Sequence, residues 1–322
     1  MPKLDLKLYR GYVNENELVI FGHIFKSWAP DKYSLDRRGI KHAVSIIHMF
    51  RIKPLKNFEV HLKFKNLDVV TKTMDDGYFK FCVPFNEPLE SGWHDYEVSV
   101  KVFDFGIINR GELLKPFESK VAIISDIDDT FLVSHSNNIF KKLYVMLLKN
   151  INKRKIYDDV VDHYKYLSEG NDNNNEQSNS FFYVSSSEWN LYEFIENFAQ
   201  KHELPKAVIM LRKIKTGITD FLSSGRGNHD HKFAKIKEII SFYPNLQYVL
   251  LGDDSQQDPY IYERICKTFP KNLKAVYIRQ TTKRKKSDIK TVLKNLESLN
   301  VPTCYFKHSN KAIEHSRKLG ID

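Results

Sequence analysis

Cysteine is scarce in this sequence: only Cys82, Cys266 and Cys304 occur in 322 residues, far apart and without a CxxC pair. That spacing excludes a disulfide framework and a zinc finger, and it fits a reducing compartment. Long apolar runs are missing as well. The longest, Leu143 to Leu148, falls far short of the roughly 18 residues that suggest a membrane-spanning helix. The opening Met1-Pro2-Lys3-Leu4-Asp5 lacks the basic-then-apolar order of a secretory signal, so a cytoplasmic setting is expected. No glycine-rich P-loop and no RNA-binding aromatic signature is present, and no nucleic-acid partner is expected.

What is present is globular composition with an excess of positive charge. Hydrophobic residues make up 42% and aromatics 13%, and the rings follow no repeat period, which is how core residues are distributed. The formal charge of +10 fits an acidic partner, whether nucleic acid, an anionic membrane surface or a phosphorylated substrate, and equally a solvated lysine-rich surface, so charge alone names no partner. The length exceeds that of one ordinary domain, so two are expected.

The pattern changes once along the chain. Between residue 4 and about residue 103, apolar and polar residues alternate, as in Phe58, Val60, Leu62 and Phe64 and again in Tyr96, Val98, Val100 and Val102. Period two means strands with one buried face. Asp75-Asp76-Gly77 and Ser91-Gly92 punctuate them, predicting an antiparallel β-sandwich over residues 1–118. From Val121 the runs become continuously apolar: Val121 to Ser125, Phe181 to Val184 and Tyr248 to Leu251. Such strands are buried on both faces. Alternating with helical spacing at Leu191–Gln200, Lys232–Phe242 and Ser287–Leu299, they predict an α/β domain over residues 119–322. It has a parallel sheet with helices on both faces and an insertion at 131–180.

The chemistry concentrates at the ends of those buried strands, where ligands gather in open α/β sheets. Asp126-Ile127-Asp128-Asp129-Thr130 follows the first. Its two carboxylates, Asp126 and Asp128, suit a nucleophile on phosphorus and a proton donor to the departing oxygen. Ser185 ends the second, where its hydroxyl and neighbouring amides can hold a phosphoryl oxygen. Lys232 opens a helix, placing an ammonium within reach of that group. Gly252-Asp253-Asp254-Ser255-Gln256-Gln257-Asp258 follows the third and offers hard oxygen ligands suited to magnesium. Each piece alone is equally well an acidic turn, a serine turn or a surface lysine. Their order along one sheet is what singles them out.

These residues resemble the haloacid-dehalogenase superfamily and, within it, the lipin-like, actin-patch-associated phosphatidate phosphatase family. The resemblance rests on Ile124-Ser125-Asp126-Ile127-Asp128-Asp129-Thr130, Phe182-Tyr183-Val184-Ser185-Ser186-Ser187 with Trp189-Asn190-Leu191-Tyr192, and His231-Lys232. Gly252-Asp253 with Asp258-Pro259 and Tyr277-Ile278-Arg279 complete it. It implies Asp126 as nucleophile, Asp128 as general acid and then base, and Thr130, Ser185 and Ser186 as phosphate-binding residues, with Lys232 stabilising the phosphoryl charge. It further implies Mg2+ held by Asp126, the Asp128 carbonyl and Asp253, with Asp258 either on the metal or directly behind its ligands, and phosphatidate, a phospholipid, as substrate. The basic and apolar stretch from Phe140 to Lys155 then reads either as a peripheral contact with an anionic membrane or, equally, as a cap helix packed on the catalytic domain with solvated lysines. Asp254-Ser255, Glu188 and Lys213 depart from the family pattern.

Overall fold

The computed structural model describes residues 3–27, 53–102, 105–127, 160–169, 177–213, 230–255, 257–281 and 287–321. They form two compact units. The first comprises the described residues up to Pro116 together with Glu188–Glu193 and Lys213, and the second the remainder.

The first unit contains β1 (Lys3–Val13), β2 (Glu17–Ser27), β3 (Lys53–Pro54), β4 (Glu59–Phe64), β5 (Leu67–Lys72), β6 (Tyr78–Pro84), β7 (Gly92–Val102) and β8 (Phe105–Lys115). Alternation sets the facing: Val60, Leu62 and Phe64 of β4 are buried while Glu59 and Lys63 are exposed. Turn chemistry sets the hairpins. The Asn14 side-chain oxygen accepts the amides of Asn16 and Glu17, each at 2.8 Å, between β1 and β2. Before β6, Gly77 sits at φ +76°, where a Cβ would lie 2.6 Å from the Ile24 carbonyl.

All eight strands belong to one sheet in the order β3-β2-β1-β8-β7-β4-β5, with β6 also paired to β2. Leu18 and Ile20, Phe79 and Phe81, Val60 and Leu62, and Val98 and Val100 share a single core, so both ends of the sheet enclose it. The expected antiparallel sandwich fails at one seam, because β1 and β8 pair in parallel at Gly11 and Leu113. Six strands separate those two in sequence. No turn dictates their relative direction, and long-range pairing decides it.

The segment Glu188–Glu193 completes this unit's aromatic cluster. Trp189 stacks on Tyr9 with ring centroids 4.3 Å apart, and the Tyr192 hydroxyl accepts the Arg10 amide at 3.0 Å. His23 is fully buried among Tyr9, Phe25 and Tyr78, and burial pushes its pKa down to about 3.

The second unit alternates strand and helix. Its elements are β9 (Val121–Asp126), α1 (Val160–Glu169), β10 (Ser180–Glu188), α2 (Tyr192–Lys201), β11 (Ala207–Arg212), α3 (Asp230–Phe242), β12 (Gln247–Asp253), α4 (Asp258–Thr268), β13 (Leu273–Arg279), α5 (Ser287–Ser298), β14 (Thr303–Phe306) and α6 (Ser309–Lys318). The sheet runs β11-β10-β9-β12-β13-β14, and β9 pairs in parallel with both β10 and β12. Ala122, Ile123 and Ile124 are wholly buried, as are Val249 and Leu250. This is why those strands read as unbroken apolar runs. Helix α1 packs on α6, and α4 packs on α3 and α5.

The three predicted buried strands lie within β9, β10 and β12. The helix expected from Leu191 is preceded by a tight turn at Trp189–Leu191, and that expected from Lys232 starts two residues earlier. Most of the insertion, the Phe140 to Lys155 stretch included, lies outside the described residues, as do Asp128, Thr130 and Lys283 to Lys286. Among the described residues no helix is long and apolar enough to cross a membrane.

Candidate active site

Parallel strands end on one side of their sheet, so the residues closing β9, β12 and β13 meet along one rim. Asp126 is the last residue of β9, Asp253 the last of β12 and Arg279 the last of β13. Asp253 and Arg279 are register partners. Two helices add to the rim from their first turns: α3 brings Lys232 and α4 begins with Asp258.

The result is a buried charge cluster. Asp126, Asp253 and Asp258 are at most 1% exposed, Lys232 is 3% exposed, and the three carboxylates each place an oxygen within 4.8 Å of the others. Lys232 Nζ lies 3.0 Å from Asp126 Oδ1 and also donates to Asp258 Oδ1. Burial opposes the lysine's charge, but Asp126 and then Asp258 outweigh it, so its pKa is raised and it stays an ammonium.

The cluster sets three carboxylates around the Lys232 ammonium. At an effective dielectric of about 20, two carboxylates this close repel by about 3 kcal/mol or more. A divalent cation would offset that repulsion. The donors are all carboxylate oxygen, with no cysteine or histidine in the group, which fits magnesium rather than zinc or copper.

Local packing makes the cluster possible. A Cβ on Gly252 would lie 2.7 Å from Asp258 Oδ2 and 2.8 Å from Tyr262 Cε2, so only glycine lets Asp258 come this close to β12. Ser125 Oγ donates to the Asp126 carbonyl at 2.8 Å and meets the Tyr164 hydroxyl at 2.5 Å, so α1 braces the end of β9. The sequence motifs do not reveal Tyr164, because its position relative to β9 depends on how the insertion folds back.

The other predicted residues are placed as follows. Ser185 is fully buried, follows the register partner of Asp126, and accepts the Ser187 amide at 2.9 Å. Ser186 beside it is half-buried. Asp128 and Thr130 lie outside the described residues. Asp230 pairs with Arg264 at 3.1 Å on the surface, and burial lowers the pKa of His231 to about 4.

The segment that carries this site is similar to a family of phosphatase catalytic domains. The family is the one described as phosphatidate phosphatase APP1, catalytic domain, and it matches residues 121–280 of this chain. Phosphatidate phosphatase APP1 of Saccharomyces cerevisiae is 24% identical over 163 residues, covering 49% of this chain and 26% of the yeast protein. An uncharacterised protein of Schizosaccharomyces pombe is 24% identical over 255 residues, covering 76% of this chain and 39% of its own length. The chain thus spans well under half the length of these two relatives. A carbohydrate acetylesterase from Xanthomonas citri aligns over 99% of this chain and 74% of its own at 9% identity, with a TM-score of 0.36, too slight a likeness to bear on fold or function.

Proposed function

We propose that this chain carries a magnesium-dependent phosphatidate phosphatase of haloacid-dehalogenase type, working through an aspartyl-phosphate intermediate. The observation that supports it most is the buried trio Asp126, Asp253 and Asp258 with Lys232, at a strand-end rim inside a segment of a phosphatase catalytic family.

In this reading an Asp126 carboxylate oxygen attacks phosphorus, forming an acyl-phosphate bond while the bond to the glycerol oxygen breaks. Asp128 delivers its proton to that oxygen, then accepts one from the water that attacks phosphorus and frees phosphate. Lys232, kept cationic by its two partners, offsets charge on the phosphoryl oxygens, and Ser185, Ser186 and Thr130 bind them. Asp126, Asp253 and Asp258, with the Asp128 carbonyl, would hold Mg2+, which supplies charge neutralisation for phosphate and nucleophile when bound. The excess of basic residues and the Phe140 to Lys155 stretch support work at an anionic bilayer.

Phosphate release tests this. Phosphatidate in vesicles, glycerol phosphate, sugar phosphates and an aryl phosphate are compared with and without Mg2+. Phosphatidate should be hydrolysed fastest, and only with the metal. Faster turnover of sugar phosphates would replace the lipid by a soluble substrate, while no release from any ester would sink the catalytic reading.

Gly252→Ala tests the geometry. Its Cβ must push Asp258 away from Asp253, and a displacement near 1 Å in such a site costs roughly 100-fold in rate. Phosphate release at wild-type rate from this variant would show that the close approach of Asp258 does not matter.

A further inference from the structure

Asp254, next to Asp253, is also fully buried, but its carboxylate is committed elsewhere. Its Oδ1 accepts the Thr281 amide at 2.8 Å and the Thr281 hydroxyl at 2.6 Å, and its Oδ2 accepts the Tyr305 hydroxyl at 2.8 Å. The Asp254 amide donates to the Arg279 carbonyl at 3.0 Å. One residue therefore ties the end of β12 to the residues that follow β13 and to β14.

The tie continues outward. The Arg279 guanidinium donates to Ser309 Oγ at 2.5 Å and to the Lys307 carbonyl at 3.3 Å, and lies over the Phe306 ring at 4.8 Å. Thr281, Tyr305 and Ser309 all fall beyond residue 280, where the family match stops. Hydrogen bonds to an ionised acceptor are the strong ones, and a buried carboxylate with three of them has little freedom to turn. Asp253 is attached to that fixed point by one peptide bond. A serine at position 254 would be too short to span both strands' partners at once.

We propose that Asp254 is a positioning residue: by clamping Thr281 and Tyr305 it sets the direction of the Asp253 carboxylate and with it the affinity for the divalent cation. The inference rests on the proposed metal site. It extends the functional unit through β14 and α6, past the family-matched segment. Partners that orient metal ligands without touching the metal typically set affinity by roughly 10- to 100-fold.

The test is Mn2+ binding by the whole chain, followed by electron paramagnetic resonance without substrate, with thermal melting alongside. Tyr305→Phe removes one hydroxyl and keeps the ring, and Asp254→Asn keeps the shape and weakens the acceptor. Both are expected to bind Mn2+ roughly 10- to 100-fold more weakly than wild type. Their phosphatase kcat should return at saturating metal, and metal-free Tyr305→Phe should melt near wild type. Wild-type Mn2+ affinity in both variants overturns the proposal, whatever their melting temperatures. If Asp254→Asn does not fold, Tyr305→Phe decides alone. Wild-type protein that binds no Mn2+ overturns the metal reading itself, an outcome distinct from a variant that binds normally.

Discussion

Asp126→Asn is expected to lower phosphatase kcat by at least about four orders of magnitude without destabilising the metal-free protein, because in the proposed mechanism it removes the nucleophile, while it also eases the repulsion among the carboxylates. The amide cannot form an acyl phosphate, and it is a poorer partner for a divalent cation. The cluster of Asp126, Asp253, Asp258 and Lys232 meanwhile loses one of its three neighbouring carboxylates, and Lys232 keeps Asp258. Phosphate release and thermal melting without metal together check this. Activity near wild type would remove Asp126 from the chemistry. A large loss of stability would mean that the ion pair with Lys232, rather than catalysis, explains the residue.

Lys232→Met should do the opposite to stability. It removes the ammonium that Asp126 and Asp258 share in a site that is nearly closed to water. Breaking a buried ion pair by removing one partner costs about 3–5 kcal/mol. Melting of the metal-free variant should therefore drop well below wild type, and millimolar Mg2+ should recover part of the difference by offsetting the carboxylates. Turnover should stay low even with metal, since the ammonium to which the proposed mechanism gives the phosphoryl charge is gone. A variant that melts like wild type without metal would mean that the three carboxylates are not jointly ionised. The contrast in sign between the two substitutions separates an electrostatic cluster from a merely well-packed one.

Much of the second unit is legible in the sequence because burial on both faces leaves a mark that needs no context. Val121 to Ser125, Phe181 to Val184 and Tyr248 to Leu251 read as strands, and each is followed by polar residues that a core would reject. Strands β11, β13 and β14 and helices α4 and α6 are less evident. The apolar run Ala207–Leu211 could belong to a helix as readily as to a strand, and β14 is four residues long. In the first unit, period two reveals strands and facing, but no periodicity encodes which distant strands pair, so the parallel seam between β1 and β8 is invisible.

The amino-acid sequence by itself determined which side chains are available for chemistry and where each lies relative to its own strand. Asp126 and Asp253 stand at the ends of apolar runs and Lys232 near the start of an amphipathic helix, because local hydrophobic patterning positions residues along an element. Only the tertiary structure decided which of them meet. The parallel order β9-β12-β13 brings Asp126, Asp253 and Arg279 to one rim, and the missing Cβ of Gly252 lets Asp258 close on β12. Lys232 lies between Asp126 and Asp258, and Asp254, which reads as one more acid in an acidic turn, takes hold of Thr281 and Tyr305. The reason is physical: hydrogen bonds and charge interactions act through space over a few ångströms, and residues dozens of positions apart come within that range only when the sheet has formed.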